Sequence, residues 1–180
     1  MFLAHLPAGY LLTRALTSRR PGLSTLPSYI MAAGLLGSIA PDLDLLWFYL
    51  VDNRAHPHHS YWTHFPSAWA MLLALSLLWV SVERQRHTAK ALLVFACGGL
   101  LHLVLDSVAG GIRWLAPFSS ESWSLTEVKR FVEPWWLNFF LHWSMLIEAI
   151  IVAIGWHQYS LDRQVLNQTV EPAKYGVISE

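Results

Sequence analysis

The chain has few charged residues and almost no cysteine. Charged side chains make up 13% of its 180 residues, whereas a soluble domain carries about 25%. The lone Cys97 excludes a disulfide framework and a cysteine-based metal site. The formal net charge is zero, so no basic surface is indicated and we expect no nucleic-acid partner. What remains is a composition that is 54% hydrophobic, with a mean hydropathy of +0.38, which is typical of a membrane protein.

Long apolar segments recur along the chain, each able to cross about 30 Å of hydrocarbon. They cover 29–51, 65–82, 91–109 and 135–156, and a shorter apolar segment covers 2–17. Many of the tryptophans lie near the ends of these segments, as in the aromatic belts at a membrane interface. The sequence therefore predicts an all-α fold, a multi-pass transmembrane helical bundle of about five helices.

Charge divides the chain into a membrane-embedded part and a tail. We interpret residues 1–157 as one membrane-embedded domain and 158–180 as a polar, solvated C-terminal tail. Lysine and arginine are more frequent in 14–28, in 83–90 and in the tail than in the other loops. The positive-inside rule then predicts that these three segments face the cytoplasm.

Ionisable side chains interrupt the apolar segments. Such residues are costly in hydrocarbon, usually face a bundle interior or a cavity, and mark a functional site. They are Asp42, Asp44, His102, Asp106 and Glu148. In the predicted topology most of them come to the same leaflet, the outer one, together with histidines near the ends of other segments. We therefore expect one site at one rim of the bilayer.

One motif pairs an imidazole with a carboxylate on a single helix face. His102 and Asp106 are four residues apart, which makes them neighbours on a helix surface. Such a pair can chelate one metal ion, or the carboxylate can orient the histidine. The alternative is a hydrogen-bonded structural pair between packed helices.

A second motif places two carboxylates beside a proline. Pro41 favours a new helical start, and Asp42 then lies near the positive end of a helix, where a carboxylate is stabilised. Residues two apart on a regular helix face different ways, so ligation of one ion by both Asp42 and Asp44 would require local unwinding. The alternatives are two metal ions, or a purely capping role for one of the two aspartates.

Four histidines are concentrated just before the third apolar segment. Neutral imidazole suits zinc and iron, whereas carboxylates admit manganese. A mixed set of His and Asp without Cys therefore predicts a divalent metal, zinc first, with manganese or iron as alternatives. His59 and His64 are the favoured ligands because His64 leads into a helix. His56 and His58 are interpreted as residues of a solvated loop.

The last apolar segment supplies a further group of candidates. Asn138 and His142 are four residues apart and share one helix face. Glu148 lies six residues beyond His142, which places it on a different face of a regular helix. Its alternative role is that of a buried, protonated acid in helix packing.

The order of the motifs resembles a known family. His5 lies in a short apolar element, Pro-Asp-x-Asp covers 41–44, His-x4-His covers 59–64 and ends in Thr-His, and His-x3-Asp covers 102–106. This order resembles the YdjM-like family of bacterial inner-membrane, metal-dependent hydrolases. The resemblance implies that the metal ligands are His5, Asp42, Asp44, His59, His64, His102 and Asp106.

The chain also departs from the pattern of that family. Ser60, Phe65 and Ala109 stand where the family often has Arg, Ser and Thr. These changes leave the implied ligands intact and affect the expected substrate contacts.

The resemblance also implies a chemistry. The family is similar to zinc-dependent phospholipase C and P1-type nucleases, which act on phosphodiesters, and this is an argument by analogy. We expect a metal-assisted hydrolase for a phosphodiester of a lipid or other amphiphile, with Asp42 or Asp44 as the catalytic base. The expected partners are the lipid bilayer and an amphiphilic substrate, in the bacterial inner (plasma) membrane. The alternative is a non-catalytic membrane protein for metal binding, transport or regulation.

Overall fold

The computed structural model describes residues 3–17, 27–83, 86–134 and 136–175, with side chains as far as 168. Within these ranges the regular elements are all helical, which confirms the predicted all-α fold. The helices are α1 His5–Thr17, α2 Ser28–Ile39, α3 Asp44–Leu50, α4 Pro66–Val82, α5 His87–Asp106, α6 Leu137–Phe140 and α7 Ser144–Tyr175. Shorter 3₁₀ turns cover Ala40–Leu43, His58–Ser60 and Trp62–His64.

Two helical stretches are long and apolar enough to cross a membrane, judged by length and composition in the described residues. They are Ser28–Leu50, which comprises α2, the first 3₁₀ turn and α3, and His87–Asp106, which is α5. Helix α4 is apolar but shorter. The number of crossings stays a prediction. So does the orientation, because residues 18–26 and 84–85 of the basic segments lie outside the described residues.

Apolar residues cover the outside of the bundle, while polar residues lie within it. Leu46 and Leu50 of α3, Leu78 of α4 and Leu146 of α7 are all more than half exposed. In contrast, the buried residues include His64, His102, Asp106, Asn138 and Glu148. This arrangement is the reverse of that in a soluble domain, and it suits a bundle whose surroundings are hydrocarbon.

Helix α5 is the central helix and packs against α1, α2 and α4. The contact with α2 is close because both helices carry glycine there. A Cβ atom on Gly37 would lie 2.1 Å from the carbonyl oxygen of Phe95, and one on Gly98 would lie 2.8 Å from that of Gly34. Small residues allow such close backbone approach between membrane helices. As a result the C-terminal end of α2 lies directly beside the last turns of α5.

The last apolar segment is divided in the structure. Residues 137–140 form the short α6, and α7 begins only at Ser144. The backbone N–H of Ser144 donates to Nδ1 of His142 at 3.3 Å, and the Ser144 hydroxyl lies 2.9 Å from the same nitrogen. The prediction that Asn138 and His142 share a face of one helix is therefore wrong, because a turn at His142 separates them.

Helix α7 continues well past the predicted start of the tail. The boundary between 157 and 158 falls inside this helix, while residues 176–180 lie outside the described residues. Asp162 accepts hydrogen bonds from Arg14 at 2.8 and 3.0 Å and one from the Tyr10 hydroxyl. The first turns beyond 157 are thus attached to α1. At the other end of α1, the backbone N–H of Leu3 donates to the buried Glu148 at 2.5 Å.

Candidate metal centre

Four imidazoles surround the carboxylate of Asp106 at the C-terminal end of α5. Oδ1 of Asp106 lies 3.2 Å from Nε2 of His5. Oδ2 lies 3.0 Å from Nε2 of His102, 3.4 Å from Nε2 of His59 and 3.9 Å from Nε2 of His64. The five residues come from α1, α5 and the two 3₁₀ turns after α3. Folding thus brings together side chains that are far apart in the sequence.

Asp42 completes the cluster from the turn between α2 and α3. Its Oδ1 lies 3.5 Å from Nε2 of His102 and 3.7 Å from Nε2 of His64. One ligand atom from each of Asp42, His64, His102 and Asp106 lies within 4.8 Å of the others, which is close enough for one metal ion. The Asp42 side chain is 31% exposed, whereas that of Asp106 is 3% exposed. Asp42 is therefore the more accessible of these two carboxylates.

Three imidazole nitrogens inside the cluster have unsatisfied hydrogen-bonding capacity. The Nε2 atoms of His5, His64 and His102 are buried, and their contacts with the Asp42 and Asp106 carboxylates lack the geometry of a hydrogen bond. A buried polar atom without a partner costs about 1–3 kcal/mol. A cation bound between these nitrogens and the carboxylates would use the lone pairs, so the donor set fits a divalent metal.

In two of these rings, those of His102 and His64, the Nδ1 atom contacts a residue outside the cluster. Nδ1–H of His102 donates to the carbonyl oxygen of Ser38 at 2.8 Å, a contact that the close approach of α2 and α5 makes possible. Nδ1 of His64 lies 2.7 Å from Oδ2 of Asp44. When Nδ1 carries the proton, Nε2 presents a lone pair to the cluster. This arrangement is usual for histidines that ligate metals.

The two aspartates of the Pro-Asp-x-Asp motif lie on opposite sides of His64. Asp42 faces Nε2, whereas Asp44 is hydrogen-bonded to Nδ1 and also accepts from the Thr63 hydroxyl at 2.6 Å. The Nδ1 atom of His58 lies 3.4 Å from the other Asp44 oxygen. The 3₁₀ turn at Ala40–Leu43 makes this placement possible, because it interrupts the regular helix between α2 and α3.

The structure corrects the interpretation of His58 as a residue of a solvated loop. Its side chain is 27% exposed, compared with 67% for His56, and its ring centroid lies 4.1 Å from that of His59. His58, His59 and His64 form a second group whose nitrogens lie within 4.8 Å of one another. His56 instead pairs with Asp52 at 2.9 Å, away from the cluster. The 3₁₀ turn after Pro57 brings His58 inward, and periodicity in the sequence gives no signal for such a turn.

Protonation differs between the two loop histidines. Burial lowers the pKa of His59, and the Asp106 carboxylate offsets this effect only in part. Burial also lowers the pKa of His64, but the neighbouring carboxylates of Asp42 and Asp44 outweigh it and raise the pKa overall. A metal ion would therefore compete with a proton at His64 more than at His59.

The second group of sequence candidates lies elsewhere. The Asn138 side chain accepts from the backbone N–H groups of Phe131 and Val132 at 2.7 and 3.0 Å, and so holds the preceding loop. His142 caps α7, and Glu148 holds the start of α1. Among the described residues, none of the three candidates belongs to a group that could hold a metal ion. Asn138 and His142 instead border a separate cavity of about 240 Å³.

A larger cavity opens onto the cluster. Its volume is about 720 Å³, and sites for small molecules measure about 300–1,000 Å³. Its polar lining residues include Asp42, His58, His59 and Asp106. Its apolar and aromatic lining residues include Leu45, Phe48, Tyr49 and Phe139. The cavity can therefore admit a molecule with a polar head and an apolar chain.

Two of the three residues that depart from the family pattern, Ala109 and Ser60, can be related to this cavity. Ala109 belongs to its lining, where a methyl group replaces the hydroxyl that the family pattern often supplies. Ser60 donates its hydroxyl to the carbonyl oxygen of Pro57 at 2.6 Å and thereby stabilises the turn that carries His59.

Comparison with known proteins gives one match. The model of a family described as YdjM inner membrane protein matches residues 1–165, which include the whole cluster. No curated protein and no solved structure matches the chain.

Proposed function

Because the chain belongs to the YdjM family of inner membrane proteins, we propose that its histidine and aspartate cluster is the centre of a membrane-bound, metal-dependent hydrolase. The substrate class is a phosphodiester of a lipid or another amphiphile. The resident metal is a divalent ion, with zinc as the first choice and manganese or iron as alternatives. The observation that carries the proposal is the convergence on two carboxylates of three buried Nε2 atoms that lack a well-formed hydrogen bond.

The proposed ligands follow from the direction of the donor atoms. His5, His59, His64 and His102 supply Nε2 atoms, and Asp106 supplies both carboxylate oxygens. The two oxygens of Asp106 face different imidazoles, so both are available to a bound cation. A divalent ion held by these residues would make a nearby water more acidic and would stabilise negative charge on a phosphoryl oxygen.

Asp42 is the proposed general base. It is close to the imidazoles of His64 and His102, yet it is partly exposed and lines the large cavity. One oxygen of Asp42 can therefore accept a proton from a water in the cavity, as a general base must. Asp44 is assigned a positioning role, because its contact with the cluster runs through Nδ1 of His64.

The substrate is proposed to enter from the membrane. The apolar part of the cavity wall suits an alkyl chain, and the outer surface of α3 beside it carries exposed Leu46 and Leu50. The cluster lies at the C-terminal ends of α2 and α5 and at the N-terminal ends of α1, α3 and α4, which is one end of the bundle. We assign this end to the outer leaflet of the inner membrane on the basis of the charge pattern.

The test is metal analysis of the full chain purified in detergent, followed by assays of phosphodiester hydrolysis. Wild-type protein is compared with Asp106→Ala and His102→Ala, and with His157→Ala as the control, because His157 is exposed on α7. We expect bound zinc in the wild type and the control, its loss in both cluster variants, and turnover only where zinc is bound. Equal metal content in all four proteins would refute the site. Metal binding without turnover on lipid or soluble phosphodiesters would favour the non-catalytic alternative.

A further inference from the structure

A strained turn follows α3 at the mouth of the large cavity. Asn53 and Arg54 have φ angles of 53° and 63°, in the left-handed region that non-glycine residues rarely occupy. The backbone N–H of Arg54 donates to the carbonyl oxygen of Phe48 at 3.0 Å, and the Asp52 carboxylate accepts from the backbone N–H of His56 at 2.9 Å. A helix end usually requires only one residue in the left-handed conformation. The end of α3 therefore does not account for the left-handed conformation of the second residue, Arg54.

The turn carries Arg54 into the cavity lining. Arg54 borders the same space as Asp42, His59 and Asp106, although its side chain stays exposed at the mouth. Among the described residues that line this cavity, Arg54 is the one with a fixed positive charge. No ion pair or side-chain hydrogen bond joins its guanidinium to the described part of the chain. Strain that persists in a turn beside a site is a reason to look for a function.

The residues around the cavity favour an amphiphile with an anionic head group and an alkyl chain. A guanidinium presents a planar set of donors that matches the oxygens of a phosphoryl group and can bind two of them at once. Phe48 and Phe139 line the same cavity, and the backbone of Arg54 is hydrogen-bonded to that of Phe48. An anionic head between Arg54 and the histidine and aspartate cluster would leave an attached alkyl chain against the apolar lining residues. A neutral head would offer the guanidinium no opposite charge.

We propose that Arg54 is a specificity-determining residue that binds the anionic phosphoryl head of an amphiphile at the mouth of the cavity. This inference rests on the proposed function, because the metal cluster forms the other wall of the head-group site. Arg54 selects the substrate by the charge of its head and takes no part in the movement of protons.

The test uses ligands that the protein cannot hydrolyse. Decylphosphonate combines a phosphoryl head with an alkyl chain, methylphosphonate has the head alone, and decanol has the chain with a neutral head. Their binding is measured by calorimetry with the zinc-loaded full chain in a maltoside detergent, which contains no phosphate. The variants are Arg54→Gln and Arg54→Lys. The matched control is Arg113→Gln, because Arg113 lies after α5 and outside the cavity lining.

We expect Arg54→Gln to weaken the binding of decylphosphonate about tenfold, which is the effect of losing a charge-assisted hydrogen bond. Arg54→Lys should restore part of the affinity, and Arg113→Gln should equal the wild type. The binding of decanol should be the same in all four proteins, which would not hold if the substitution merely disturbed the turn.

Two results would overturn the inference. If the Arg54→Gln variant binds decylphosphonate as tightly as the wild type does, Arg54 does not belong to the head-group site. If methylphosphonate binds as tightly as decylphosphonate, the ligand is a soluble phosphate and not an amphiphile. Failure of the proposed function has a different signature, because the wild type would then retain no zinc before any ligand is added.

Discussion

Asp44 and His64 form a hydrogen-bonded pair in which Oδ2 of Asp44 lies 2.7 Å from Nδ1 of His64. The pair directs Nε2 of the same ring toward the carboxylates of Asp42 and Asp106. Both members are buried, and Thr63 supplies another hydrogen bond to Asp44. Asp42 and Asp44 are only two residues apart, yet they contact opposite sides of the His64 ring. We therefore make a different prediction for each of them.

Substitution Asp44→Asn should weaken metal binding without abolishing it. The amide can still occupy the position next to His64, but it no longer favours the ring orientation and basicity that ligation requires. Loss of such an outer partner costs about 10–100-fold in metal affinity. Competition with a chelator of known affinity measures the change, and Asp52→Asn serves as the control because Asp52 pairs with His56 in the loop. A protein that binds no zinc even at saturation would show that Asp44 is itself a ligand.

Substitution Asp42→Asn should mainly affect catalysis. The amide retains the size of the side chain but cannot accept a proton from water, and general base catalysis typically contributes about 10²–10⁴-fold. We expect kcat to fall by that amount, while zinc content stays close to that of the wild type because the histidines and Asp106 remain. Zinc analysis and turnover are measured on the same preparation. Full turnover in this variant would exclude Asp42 as the base.

Substitution Gly98→Leu should destabilise the bundle and empty the metal site together. A Cβ atom at this position already lies 2.8 Å from backbone atoms of α2, so a larger side chain must push α2 and α5 apart. Overpacking of this kind costs about 1–3 kcal/mol or more. It also moves the carbonyl of Ser38 away from His102. Thermal unfolding in detergent and zinc content provide the measurements.

The matched control for that variant is Ala70→Leu, because Ala70 is exposed on α4. This control should unfold at the same temperature as the wild type and retain its zinc. A normal unfolding temperature for Gly98→Leu would contradict the close packing of α2 against α5.

Substitution Asp162→Asn should lower stability at neutral pH by about 0.5–1 kcal/mol, since the Asp162 pair with Arg14 is only partly buried. Burial raises the pKa of Asp162, but hydrogen bonds from Arg14 and Tyr10 outweigh it and lower the pKa overall. A lowered pKa in the folded state stabilises the fold above the unfolded value of about 3.9, and this contribution is lost as the pH falls further.

Thermal unfolding at pH 7 and at about pH 3 checks this prediction. The difference between the wild type and Asp162→Asn should shrink at the lower pH. Zinc content at pH 7 should be unchanged, because the Arg14 pair lies at the opposite end of α1 from His5. Glu83→Gln is the control, since its pair with Arg86 is exposed. A difference between wild type and variant that persists at low pH would point to lost packing.

The helices, and the gathering of ionisable residues at one end of the bundle, could be predicted from the sequence. Runs of apolar residues indicate helices that cross or line a bilayer, and this property depends only on neighbouring residues. The sequence also predicted that residues of the His-x3-Asp motif and of the Thr-His motif would come to one end of the bundle. The structure places both motifs there, with His64 and Asp106 3.9 Å apart. Their role as metal ligands stays a prediction.

Other parts of the site could not be predicted because they depend on irregular backbone. His58 and Arg54 reach the cavity only through a 3₁₀ turn and a left-handed turn, and neither has a periodic pattern. The separation of Asn138 from α7 likewise depends on the turn at His142. Such turns are stabilised by contacts with distant elements, and hydropathy does not record those contacts.

By itself the sequence determined that the chain forms apolar helices with acids and imidazoles near one end, because the cost of polar groups in hydrocarbon acts on each residue separately. Only the tertiary structure decided which atoms face each other. The glycines of α2 and α5 bring Ser38 to His102, and the turn after α2 places Asp42 and Asp44 on two sides of one ring. The direction in which each side chain points depends on how closely the backbones of distant segments approach each other. That distance is a property of the packed bundle.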